Sequence, residues 1–225
     1  MMEAKIYIAD QRGCSDQEKE RIWSTFNYGT FFHPDKGPFG KLYQLNEFQV
    51  DRNHLTHIPV KANTFQLFIP LHGQLIVQSG DDEQVVAIGQ ILCLGIDKDR
   101  ELNLRAGGGI EKLLAFIQVA VQSEQIASFD AKVWSLSVDK TKNQMLLLTG
   151  SYYPFRIYMG VFYAKRTYHF NLQQKQGDVF LYSLEGACEV EERLLYEGDS
   201  LALKQVSGLD IECLSNAAIL LAIEL

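Results

Sequence analysis

The sequence lacks a C-x-x-C pair, a cluster of basic residues, a Pro-rich linker and any long apolar run. Its four cysteines, Cys14, Cys93, Cys188 and Cys213, are widely spaced, which fits neither a zinc site nor a disulfide framework. Cys93 and Cys213 lie inside apolar runs and read as core residues, whereas Cys14 lies in the polar stretch QRGCSDQEKE and is expected at the surface. The net charge is −7, from 21 basic and 28 acidic residues, and the densest basic pair is Lys165-Arg166. With no basic face to release counterions, direct nucleic-acid binding is not expected. No stretch approaches the ~18 apolar residues of a membrane helix. The opening MMEAKIYIADQRG carries no basic segment followed by an apolar one, so a secretory signal is not expected and the cytoplasm is the expected location. Only five prolines occur, and none gathers into a linker between domains.

What is present is a succession of short strands and turns. Asn63 to Gln78 reads as two apolar strands broken at Pro70 to Gly73, and Ser79-Gly80-Asp81-Asp82 as a tight hairpin turn. Gln84 to Ile88 and Gln90 to Leu94 continue the rhythm, and Leu113 to Val121 is apolar enough to be buried on both faces. Helical signals are few. Ser15 to Trp23 carries a capping-box pattern with Ser15 and Glu18, and Gln122 to Ser128 allows a second short helix.

The chain also repeats itself. IPLHGQLIV (69–77) matches YSLEGACEV (182–190), IGQILCL (88–94) matches EGDSLAL (197–203), and LLAFIQV (113–119) matches LLAIEL (220–225). The three pairs keep their order and nearly their spacing, which predicts two homologous β domains over residues 1–125 and 130–225. Gly-centred corners followed by alternating strands are the units of antiparallel jelly rolls. The expected class is all-β: two tandem jelly-roll barrels with few short helices.

The segment TFNYGTFFHPDKGPFGKLYQLNE (25–47), preceded by RGC (12–14) and Trp23, resembles the opening of the pirin family. The later FLYSLEG, LLYEGDSLAL and AILLAIEL resemble that family's second barrel. The resemblance implies a bicupin, two cupin barrels in one chain, and is nearest to short members of the family. Metal-binding pirins hold one iron in the N-terminal barrel through a His-x-His, a further His and a Glu, a donor set suited to Fe(II). Carried onto this sequence, those positions are Pro59, Lys61, Lys112 and Leu114, and a cupin-motif glutamate falls on Phe65 or Gln66. In the second barrel the His-x-His falls on Leu172 and Gln174, with His169 nearby. Two lysines in place of imidazoles disfavour a bound cation.

Two functions are therefore expected in order. The first is a small-molecule-binding or regulatory bicupin without a competent metal site and without a cofactor. Its partner would be a small anion or another protein, and its pocket would be lined by Lys61, Gln66, Lys112 and His57. The second is a metal-dependent, quercetinase-like dioxygenase whose iron would be held by His54 and His57, with Asp51 as the nearest third ligand. His33 and His72 read as turn residues, and Gly107-Gly108-Gly109 as a β-bend rather than a phosphate loop.

Overall fold

The structure is a computed structural model describing residues 3–109, 111–124, 126, 128–150, 152–163 and 167–225, and the side chains of 138 and 139 are not described. Ile110 and the basic pair Lys165-Arg166 lie outside this set. The chain is all-β, as expected. Its only helical segments among the described residues are the single turns Ala9–Gln11, Pro34–Lys36 and Val138–Thr141.

The described residues form two compact units, one spanning residues 12–136 and the other residues 3–11 with 137–225. In the first, a seven-stranded sheet runs in the order Asp130–Ser135, Gln90–Ile96, Thr64–His72, Leu113–Gln122, Leu42–Asp51, Glu20–Ser24, Gly13–Gln17. A four-stranded sheet holds Thr56–Val60, Arg100–Ala106, Leu75–Ser79 and Asp82–Val86. In the second unit, the larger sheet runs Glu3–Tyr7, Ser200–Val206, Gly177–Glu185, Ala217–Glu224, Arg156–Tyr163, Leu146–Leu147. Its smaller sheet holds Thr167–Asn171, Gly208–Cys213, Cys188–Val190 and Arg193–Leu195. The small sheets correspond strand for strand, the six strands of the second large sheet correspond in order to the first six of the first, and Gly13–Gln17 is the added edge strand. The three repeated sequence motifs occupy equivalent strands.

The repeat extends to irregularities. In the first unit, Pro70 pairs with Phe116 and His72 with Ala115, so Leu71 is an extra residue. In the second, Ser183 pairs with Leu220 and Glu185 with Ile219, so Leu184 is extra. This bulge lets Pro70, which has no N–H to give, sit inside a strand rather than end it. The corner that follows needs glycine in both units, because Gly73 and Gly186 have φ of 77° and 76°. At Gly186 an added Cβ would also lie 2.2 Å from the Ala217 carbonyl oxygen.

Strand exchange was not legible. The N-terminal strand Glu3–Tyr7 pairs with Ser200–Val206, so it belongs with the C-terminal half rather than the segment 1–125. Asp130–Ser135 pairs with Gln90–Ile96 and so joins the N-terminal half. Both are sheet-edge strands outside the repeated motifs, and alternation alone does not say which sheet edge a strand completes. The expected helix over Ser15 to Trp23 is instead a hairpin, Gly13–Gln17 with Glu20–Ser24. Its second strand pairs with Leu42–Asp51, so a neighbouring edge outweighs a local capping pattern. The expected helix at 122–128 is also absent from its described residues: Gln122 ends a strand, and Gln125 and Ala127 lie outside the description.

Each sandwich encloses its own apolar core. In the first it includes Phe48, Val50, Ile58, Val60, Phe68, Leu102, Leu104, Leu114 and Phe116. The Phe48 and Phe116 rings stack with centroids 4.7 Å apart. Each fully buried side chain of this size contributes about 1.5–3 kcal/mol through removal from water.

Candidate functional site

The interior of the first barrel is set by strand parity. Along Thr56–Val60, residues 56, 58 and 60 are buried and 57 and 59 exposed. Ile58 and Val60 therefore point into the core, where Leu102 and Leu104 from Arg100–Ala106 and Leu114 and Phe116 from Leu113–Gln122 meet them.

The sequence-derived pocket residues do not converge. Lys61 is exposed, and its Nζ lies 2.8 Å from Asp99 Oδ2, at the end of the paired strands Thr56–Val60 and Arg100–Ala106. That hydrogen bond raises the Lys61 pKa, and together with the Ala62 amide it holds the Asp99 carboxyl below its usual range. The Lys112 side chain is exposed, while its carbonyl accepts from the Arg52 amide at 3.0 Å. His57 faces outward, opposite Asn103, with Nδ1 3.1 Å from Glu101 Oε1. Gln66 alone is buried, with no exposed surface. Both lysines thus stand in solvent, and the expected anion pocket is not formed.

The alternative ligands fare no better. Asp51 is engaged in a turn, its Oδ1 accepting from Asn53 N at 2.9 Å and its carbonyl from His54 N at 2.9 Å. Pro59 is exposed, Phe65 is buried, and Leu114 is buried in the core. In the second barrel Leu172 belongs to the core, Gln174 is exposed, and His169 pairs at the surface with Asp210 at 2.7 Å. Among the described residues, no group of three or more His, Cys, Asp or Glu side chains is placed to hold a metal ion.

What the first barrel does hold is a chain of neutral polar groups on its inner face. Asn46 Nδ2 donates to Gln118 Oε1 at 3.1 Å, and Gln118 Nε2 donates to Gln66 Oε1 at 2.9 Å. Gln66 Nε2 donates in turn to Thr64 Oγ1 at 3.0 Å and to the Tyr43 hydroxyl at 3.2 Å. Thr64 Oγ1 closes the run by donating to the Lys61 carbonyl at 2.6 Å. All three amides are buried. Of the three, the sequence singles out only Gln66: Gln118 lies in the apolar run Leu113 to Val121, and Asn46 is one of several polar residues in its strand.

The second barrel carries a charged counterpart. Glu224 is fully buried on the inner face, opposite Arg156 and Val179. Its Oε2 accepts from the Tyr158 hydroxyl at 2.6 Å, and its Oε1 from the Gln174 amide at 2.6 Å. The Gln173 amide lies 3.3 Å from Oε2, and Arg156 Nη1 3.6 Å from Oε1. Burial, then the neighbouring carboxylate, pushes the Tyr158 hydroxyl far above its usual pKa.

Open space lies elsewhere. In the first unit a cleft of about 280 Å³ opens between the hairpin Gly13–Ser24 and the turn Tyr28–Phe31. Ile22, Tyr28 and Phe31 give it an apolar wall, and Cys14, Ser15 and Gln17 a polar rim. The turn is closed by reciprocal backbone bonds between Tyr28 and Phe31, with Gly29 at φ 57°. Burial and then the Glu20 carboxylate raise the Tyr28 pKa. A larger cleft of about 440 Å³ lies over the small sheet of the second unit and is walled by acidic side chains.

With this geometry in view, comparisons with known proteins are decisive for the fold. The fold matches the bacterial pirin YhhW from Escherichia coli, solved in complex with nickel(II), over 99% of both chains, with a TM-score of 0.87 at 15% identity. The fold is that of a pirin-like bicupin. Residues 154–225 match the family model of the quercetinase C-terminal cupin domain. A quercetin 2,3-dioxygenase from Acinetobacter baumannii matches at a TM-score of 0.73 and 9% identity, covering 98% of this chain and 85% of that one. AerE from Microcystis aeruginosa matches at 0.68 and 14%, covering 97% of each. No curated protein matches the sequence. The bicupin expectation thus stands, whereas identities this low carry no activity across.

Proposed function

We propose that this bicupin is a metal-independent binding protein that recognises a small molecule or a protein partner, rather than a dioxygenase. One observation carries the reading. The inner face of the N-terminal barrel offers aliphatic and aromatic side chains and neutral amides where pirin chemistry needs imidazoles and a carboxylate. Iron of that kind does not fit Ile58, Val60, Leu102, Leu104 and Leu114, none of which has a lone pair to donate. A filled core also leaves a substrate no room beside such a metal.

The space for a ligand is the cleft of about 280 Å³ beside the hairpin Gly13–Ser24, close to the lower end of ligand pockets. Its apolar wall with a polar rim suits a neutral, partly aromatic molecule better than the small anion expected from Lys61 and Lys112. Protein incubated anaerobically with Fe(II), then desalted, is expected to retain far less than one iron per chain and to leave quercetin unconsumed. Near-stoichiometric iron that is lost in His57→Ala would overturn the reading and favour the dioxygenase.

A further inference from the structure

In the smaller sheet of the second unit, Cys188 lies directly opposite Cys213 in the antiparallel register. Both are fully buried, both are free thiols, and both face the same core. The pattern of backbone bonds fixes the kind of pairing. Leu214 N donates to the Ala187 carbonyl at 2.9 Å, and Glu191 N to the Asp210 carbonyl at 3.2 Å. Hydrogen-bonded pairs alternate along an antiparallel ladder, so 187/214, 189/212 and 191/210 are the bonded pairs. Cys188/Cys213 falls between them at a non-hydrogen-bonded position, where Cα atoms approach to about 4.5 Å and side chains are closest. That spacing lies inside the range of roughly 4.4–6.8 Å that a disulfide spans. The other two cysteines have no such partner: Cys14 stands opposite Trp23, and Cys93 opposite Lys132 and Leu67.

We propose that Cys188 and Cys213 form a redox site, a cross-strand dithiol that closes to a disulfide with a peroxide as oxidant. One thiolate sulfur attacks a peroxide oxygen, the O–O bond breaks, and a sulfenic acid and water result once the departing oxygen takes up protons. The second sulfur then attacks the sulfenic sulfur, the S–O bond breaks, and a second water leaves. In sum, two thiols lose two electrons and two protons, and one peroxide is reduced to two waters. A small thiol reductant reopens the bond by exchange. The site lies within one unit of the fold and rests on neither the metal question nor the cleft.

Burial makes closure slow and controllable. It pushes the Cys188 thiol up to about 12, so the reactive thiolate is scarce at neutral pH, and oxidant enters only when the strand pair opens. The rate should therefore rise with pH between about 7 and 9.

The test uses the wild-type chain. Reduced protein is held with hydrogen peroxide at pH 8 for several hours, denatured, alkylated with N-ethylmaleimide and digested without reductant. The expected result is a single cross-linked species joining the Cys188 and Cys213 peptides. Cys93 should remain alkylatable, and dithiothreitol treatment should abolish the cross-link. The oxidised protein should melt several degrees higher than the reduced one, a rise absent in Cys188→Ser and in Cys213→Ala. Recovery of both cysteines as alkylated thiols, as separate sulfinic acids, or bonded to other cysteines would overturn the assignment.

Discussion

Replacing Glu224 with alanine should destabilise the second barrel more than any other single polar substitution in it. The carboxylate is fully buried and takes hydrogen bonds from the Tyr158 hydroxyl and the Gln174 amide, both at 2.6 Å, with the Gln173 amide at 3.3 Å. Alanine would leave these donors without their acceptor. Each orphaned buried donor costs about 1–3 kcal/mol, and breaking a buried charged arrangement costs about 3–5 kcal/mol. Arg156 limits the loss, since its side chain is partly exposed and can turn to water. The expected loss for Glu224→Ala is therefore about 3–5 kcal/mol. Glutamine keeps one carbonyl oxygen but turns an NH₂ towards an existing donor, so Glu224→Gln should lose about 1.5–3 kcal/mol.

The assay must watch the right half of the chain. Both tryptophans, Trp23 and Trp134, lie in the first unit, so their fluorescence does not report on the second. Urea unfolding followed by far-UV circular dichroism gives the stability. Hydrogen exchange of the peptide spanning residues 172–176 gives the local effect. The Gln174 amide should be protected in the parent chain and exchange freely in Glu224→Ala. The reasoning is refuted if that amide exchanges alike in both, or if glutamine costs as much as alanine.

Other consequences are checked more simply. Burial raises the Tyr7 hydroxyl to about 12 from its usual 10, and Tyr158 shifts the same way. Raised pKa values leave stability complete below pH 10 and remove it as pH climbs through the folded-state values. The slope should be about 1.4 kcal/mol per pH unit for each tyrosine. Tyr7→Phe should flatten that decline in alkaline urea titrations, and an unchanged slope would discount the burial argument. In the first barrel, Gln118→Ala removes a group bonded to both Asn46 and Gln66 and should cost about 2–4 kcal/mol by urea unfolding. A loss below 0.5 kcal/mol would show that the amide chain is not a stabilising network. In the two-residue turn between Val190 and Arg193, Glu191 and Glu192 both have positive φ, 49° and 63°. Glu192→Gly should relieve strain and raise stability by about 0.5–1 kcal/mol, and a fall in the melting temperature would contradict this.

The fold was legible because its signals are local and repeated. Gly73 and Gly186 mark equivalent corners through the same left-handed backbone requirement, and the motifs around them occur in one order in each half. Repetition turns a weak hairpin signal into a strong architectural one, since two accidents would not keep register. What failed were decisions made at a distance. The capping pattern at Ser15 and Glu18 is a real local preference, but Leu42–Asp51 offers Glu20–Ser24 an edge to pair with, and ladder bonds outweigh one cap. Likewise nothing within Glu3–Tyr7 names Ser200–Val206 as its neighbour, almost two hundred residues away.

The site was less legible, and the reason lies in strand parity. The family resemblance puts the first ligand positions on Pro59 and Lys61, which are exposed, while Ile58 and Val60 face the core. A one-residue difference in register moves every side chain to the opposite face, so a motif carried over by spacing alone is correct on both faces or on neither. Lys61 therefore does not meet Lys112 in a pocket and instead meets Asp99, across the end of two paired strands. The buried polar groups escaped notice for the complementary reason. Gln118 and Glu224 each interrupt an apolar strand, Asn46 is one of several polar residues in Leu42–Asp51, and only pairing across the sheet shows that each has partners. In both barrels the inner face thus bears polar groups bonded to one another, a neutral amide chain in one, where Asn46 Oδ1 alone has no partner among the described residues, and a hydrogen-bonded carboxylate in the other. Groups committed to one another in this way stabilise a barrel, and under the proposed binding role recognition falls to the cleft at Tyr28–Phe31, where side chains face open space.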